Sequence, residues 1–104
     1  MPEYIPQSGA GARVKERQQV ERPRRFKVLL MNDNYTTMDF VVMVLKTVYR
    51  KSGTEARKIM LNVHENGMGI AGVYTKSIAE VKVDKTHRLA RAHGFPLRCG
   101  LEPE

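Results

Sequence analysis

The stretch Phe26–Tyr49, F-K-V-L-L-M-N-D-N-Y-T-T-M-D-F-V-V-M-V-L-K-T-V-Y, changes character twice. Phe26–Met31 is a short apolar run that suits a strand. Its consecutive Val28, Leu29 and Leu30 predict that both faces are at least partly covered. Asn32-Asp33-Asn34 breaks it, because short polar side chains bond nearby backbone N–H groups and turn the chain. Met38, Val41, Val42, Leu45, Val48 and Tyr49 then recur at helical spacing. The run is rich in valine, which favours strands. Thr36 with Asp39 three residues on, read as a capping box, decides for a helix. A strand, a polar corner and a capped helix gather side chains at one joint, and the rest of the chain reads as support for it.

Downstream, Ser52-Gly53-Thr54-Glu55 is a second capping box. Ala56, Ile59, Met60 and Val63 form the apolar face of the helix it opens, and Gly67 can end that helix in a left-handed conformation. Met60 and His64, four residues apart, lie on one side of it. Met68–Tyr74 predicts a second strand, whose small residues let another element approach closely. Thr75 can cap a third helix, with Ala79, Val83, Thr86 and Ala90 inward and Glu80, Lys82, Asp84, Lys85, Arg88 and Arg91 mostly solvated. Pro96–Leu101 predicts a closing strand. The order β-α-α-β-α-β predicts an α+β fold with three helices packed against a three-stranded antiparallel sheet.

Upstream, Met1–Arg25 has little to bury and reads as a disordered arm over residues 1–23, leaving one domain over residues 24–104. Its cations are Arg13, Lys15, Arg17, Arg22, Arg24 and Arg25. The whole chain of 104 residues supports one small core. No apolar run approaches the ~20 residues of a membrane span, and no signal-peptide core precedes the domain. A cytoplasmic location and no membrane partner are the expectation. Cys99 is the only cysteine, which excludes an internal disulfide and a cysteine metal cluster. Three histidines without H-x-x-x-H spacing predict no metal site. The net charge of +7 leaves open nucleic acid, an acidic protein surface or solubility alone. No nucleic-acid-binding motif accompanies it.

Asn32, Asp33 and His64 are the polar candidates. Asp33 reads as a general base, a cation ligand or a local anchor of the corner. His64 reads as a packed histidine or a functional donor and acceptor. No nucleophile elbow or triad spacing supports a small enzyme. Met38 and Met60 beside the corner read either as core or as walls of an apolar cavity next to hydrogen-bonding groups. A cavity of that kind suits a ligand apolar at one end and polar at the other.

Residues 32–45, N-D-N-Y-T-T-M-D-F-V-x-x-V-L, resemble the signature N-D-D-Y-T-P-M-E-F-V of the ClpS family. The stretches A-x-x-I-M-L-x-V-H-x-x-G, G-V-Y-T and H-G-F-P-L-R-C also match in order and spacing, so the likeness spans residues 24–102. The resemblance implies a fold like that of the ribosomal stalk protein C-terminal domain. It implies a non-enzymatic monomeric adaptor, with no cofactor, that binds proteins with an N-terminal Leu, Phe, Tyr or Trp. Such an adaptor hands them to a ClpA-type AAA+ unfoldase for degradation by the ClpP protease. By the same likeness Asn32, Asp33 and His64 hold the substrate's α-amine. Thr36, Met38, Val41, Met60, Val63 and Leu97 then line the side-chain pocket, with Met38 the gate against β-branched residues, and Lys82 docks the unfoldase. Three positions depart from the pattern: Asn34 replaces an Asp, Thr37 a Pro, and Ser77 a docking Glu. The alternative is a basic nucleic-acid or ribosome-associated module, whose mark would be cations on one face with an exposed aromatic.

Overall fold

A computed structural model describes residues 22–104. The expected arm, residues 1–23, therefore lies outside the described residues except for Arg22 and Pro23. The elements run β1 (Arg25–Met31), α1 (Met38–Thr47), α2 (Gly53–Asn66), β2 (Met68–Thr75), α3 (Lys76–Ala92) and β3 (Arg98–Pro103). The sheet is antiparallel with β1 between β2 and β3. This is the α+β fold expected from the order of apolar runs.

Burial alternates along β1. Val28 and Leu30 are fully buried, while Leu29 is only half-buried. The helices therefore lie over one face, and the run of three apolar residues is completely covered on that face alone. Fully buried Val44, Leu45, Ala56, Ala71 and Ala79 meet Val28 and Leu30 in one core. Each large aliphatic side chain placed there contributes about 1.5–3 kcal/mol. A register shift at Val28/Leu29 places Ala71 in a bulge of β2, which adds local twist.

Helix α1 starts one residue later than expected. Thr37, not Thr36, is the N-cap: its backbone is extended and its hydroxyl accepts the Phe40 N–H at 3.1 Å. Thr36 is unavailable because its own N–H and hydroxyl both donate to Asp33. Asp39 consequently sits in the first turn without a box partner, where its charge still suits the helix N-terminus. The helix ends at Thr47, and its buried residues are Phe40, Val41, Val44 and Leu45. Val48 and Tyr49 are buried just beyond it.

Helix α2 follows its sequence signals. Ser52 accepts the Glu55 N–H at 3.1 Å, and Gly67 caps the other end at φ 91°. Close packing explains Gly69, where an added Cβ would stand 2.9 Å from Val63 Cγ2. Helix α3 buries Ala79, Thr86 and Ala90, and Thr75 caps it without a side-chain hydrogen bond. The closing strand is Arg98–Pro103 instead of Pro96–Leu101. β1 ends at Met31, opposite Arg98, so Pro96 and Leu97 have no partner strand to join.

Candidate functional site

The end of β1 and the end of α2 are tied together. Asn32 N–H donates to the Gly67 carbonyl at 2.9 Å, just past the helix whose last turn carries His64. The left-handed Gly67 makes this approach possible. The corner that follows is organised by Asp33. Its Oδ1 accepts the Tyr35 and Thr36 N–H groups at 2.8 and 2.7 Å, and its Oδ2 accepts the Thr36 hydroxyl at 2.7 Å. The local-anchor reading of Asp33 thus holds. A carboxylate offers about four lone-pair positions. Three are taken, so one on Oδ2 is left for a further donor.

Burial works to raise the Asp33 pKa, but the hydrogen bonds from Thr36 and Tyr35 outweigh it and hold the group below its ordinary value. Asp33 is thereby kept ionised at neutral pH. Among the described residues it is the only carboxylate lining a cavity of about 230 Å³ bounded by Asn32, Asp33, Asn34, Thr36, Met38, Val41, Met60, Val63 and His64. Val41, Met60 and Val63 are buried and form its apolar floor. Met38, the first residue of α1, is 44% exposed and stands at the mouth. His64 is exposed on the polar side. The volume is below the ~300–1,000 Å³ typical of drug-sized ligands and suits a single side chain.

Eight of the expected pocket and amine-site residues come together here. Leu97 does not: it is 3% exposed, packed in the core ahead of β3, and absent from the cavity lining. Lys82 lies elsewhere, on α3. Its ammonium donates to the Val48 carbonyl at 2.7 Å and stands 5.5 Å from the Tyr74 ring centroid, so it is half-buried, not solvated. Burial, then the nearby Lys85 and Arg50, lower its pKa. Asn34, which stands where the family signature has an Asp, also joins the lining. Larger open grooves lie near Arg22–Arg25 and between α2 and Ile70, but neither pairs an apolar floor with a polar corner of this kind.

An apolar floor beside an anchored carboxylate is the layout of a recognition site for a ligand apolar at one end and polar at the other. The chain belongs to the ClpS family, ATP-dependent Clp protease adaptor proteins, whose sequence model matches residues 21–100. Members of this family are adaptors and not enzymes. An ATP-dependent Clp protease adapter protein ClpS from Desulfatibacillum aliphaticivorans is 61% identical over 87 residues, 84% of each chain. One from Myxococcus xanthus is 52% identical over 88 residues, 85% of this chain and 82% of its own. Among solved structures, that of Agrobacterium tumefaciens ClpS2 bound to L-phenylalaninamide matches with a TM-score of 0.77 and 41% identity. It covers 80% of this chain and 100% of that one.

Proposed function

We propose that this adaptor binds proteins through a free N-terminal residue with a large apolar side chain and delivers them to a ClpA-type unfoldase for degradation by ClpP. The observation that carries the reading is the junction of the Asp33 corner with the cavity floored by Val41, Met60 and Val63. A free N-terminus differs from every internal residue by its ammonium. The spare Oδ2 position of Asp33, the Asn32 amide oxygen and a neutral His64 ring nitrogen are acceptors for it. Without such partners, burying an ammonium is costly. The adjoining apolar side chain enters the floor and gains about 2 kcal/mol. Thr36 orients the carboxylate, and Met38 crowds a β-branched side chain at the mouth. L-phenylalaninamide, bound by the Agrobacterium relative, is itself a free α-amine carrying one large apolar side chain.

Delivery needs a second contact. Lys82 is the docking residue implied by the family pattern. Its ammonium has three donors, and the Val48 carbonyl takes one, so two are left for a partner's carboxylate. Residues 1–23 are proposed to act in delivery and not in peptide binding. A reporter protein beginning with Leu should be degraded faster by a ClpA-type unfoldase with ClpP when this adaptor is added, and one beginning with Ala should not. An adaptor lacking residues 1–23 should bind the Leu-starting peptide normally and fail to accelerate degradation. Equal acceleration of the Ala reporter would refute the selectivity, and full delivery by the shortened chain would remove the arm from the mechanism.

A further inference from the structure

A second concave surface lies at the far end of α1. A groove of about 340 Å³ between that end and the C-terminal half of α3 is lined by Thr47, Val48, Lys85, Arg88, Leu89 and Ala92. Val48, Leu89 and Ala92 give it an apolar floor. Its rim is cationic. Lys82 reaches this edge through its bond to Val48, and both Lys85 and Arg50 are close enough to act on it electrostatically. Asp84 is engaged by Arg88, and Lys85 has no carboxylate partner among the described residues. Arg88 is already neutralised by Asp84, but Lys82, Lys85 and Arg50 are like charges that repel in the free protein, and an acidic ligand relieves that repulsion. An apolar floor inside a charged rim is also the layout of a protein-binding patch.

We propose that this groove docks an acidic, amphipathic segment of a partner protein. One apolar side chain of the segment would rest on Val48, Leu89 and Ala92, while a flanking carboxylate meets Lys85. A nucleic acid fits less well, because among the described residues no aromatic side chain lines the groove to stack a base. The groove and the Asp33 cavity sit at opposite ends of α1, roughly 15 Å apart along a ten-residue helix. Both can therefore be filled at once.

The probe is an N-acetylated amphipathic peptide with leucines at helical i, i+4 spacing and glutamates beside them; acetylation keeps it from the amine site. Titrated at low salt into the isotope-labelled full chain, it is expected to shift the amides of Thr47, Val48, Lys85, Leu89 and Ala92. Those of residues 32–36 should stay in place. Lys85→Glu replaces an attraction with a repulsion and should weaken binding roughly tenfold. Ala92→Gln fills the groove without changing charge and should weaken it too. Both positions are exposed, and unchanged binding of a Leu-starting peptide reports that each variant is folded. The proposal is overturned if the shifts map elsewhere or if Lys85→Glu binds as tightly as the parent. It is equally overturned if a lysine-for-glutamate version of the probe binds equally well. A single-stranded oligonucleotide that shifts the same amides at lower concentration would replace the peptide reading with a nucleic-acid one.

Discussion

The two ends of α1 hold polar groups of the same kinds in opposite states. At the C-terminal end the Tyr49 hydroxyl and Thr86 Oγ1 lie 2.7 Å apart, Thr86 donates to the Lys82 carbonyl at 2.8 Å, and Lys82 donates to the Val48 carbonyl. Tyr49 and Thr86 are buried and satisfied by one another, and burial pushes the Tyr49 phenol well above its usual range. At the N-terminal end Asp33 keeps one acceptor position spare beside an open cavity. A buried polar group left unpartnered destabilises a fold, so structural groups saturate each other. Spare capacity facing a cavity marks a place where a ligand supplies the missing partner.

The largest expected effect separates the two ends. Asp33→Asn should weaken binding of a Leu-starting peptide by about 1.5–3 kcal/mol, the scale of a charged hydrogen bond, measured by calorimetric titration. The asparagine oxygen can still accept the Tyr35 and Thr36 N–H groups, so the corner should keep its shape and the loss of stability should be confined to the contribution of the charge. The pH dependence follows the same residue. A carboxylate held below its ordinary pKa in the fold contributes stability that is complete above the unfolded value. That stability is lost as pH falls through the lower folded value. Parent protein should therefore keep the Asp33 contribution at neutral pH and lose it only in strong acid, and Asp33→Asn should remove that acid dependence from a thermal melting series.

Thr86→Val gives the mirror image. It strips Tyr49 of its closest partner in a buried setting and should cost about 1–3 kcal/mol of stability in denaturant unfolding. Peptide affinity should not move. Adding Tyr49→Phe should restore part of the loss, because two apolar groups then face each other.

Thr37→Ala should cost about 1 kcal/mol of stability through the lost cap. Thr36→Val leaves that cap in place and releases Asp33 Oδ2, so it should act mainly on peptide affinity. If the two variants behaved alike, the division of labour between these threonines would be wrong.

The smallest effect on stability belongs to Met38→Ala, since Met38 is half in solvent. Its signature is selectivity. The ratio of affinities for Ile-starting to Leu-starting peptides should rise, and an unchanged ratio would remove Met38 as the gate.

Much of the joint was legible in the sequence because its signals are local. The S-x-x-E box, Gly67 and the Asn32-Asp33-Asn34 break act within a few residues of themselves, and each acts in the structure at its expected place. The Met60–His64 spacing likewise put both on the cavity side of α2. The misses depend on partners distant in the chain or on competition between neighbours. Two adjacent threonines made the α1 cap ambiguous, and Asp33 settled it by capturing Thr36. Leu97 matches the pocket pattern and is packed in the core ahead of β3, since β3 cannot begin until it meets Met31. Lys82 sits in a run of charged α3 residues. Nothing local announces its bond to Val48, 34 positions away in the chain.

Calorimetry with three small ligands tests the central claim, that one joint reads the amine and the side chain together. L-phenylalaninamide carries both features, N-acetyl-L-phenylalaninamide only the side chain, and L-alaninamide the amine with little side chain. Measurable binding is expected for the first alone. Binding of the acetylated compound as tight as that of L-phenylalaninamide would contradict recognition of the amine, and equally tight binding of L-alaninamide would contradict the role of the cavity.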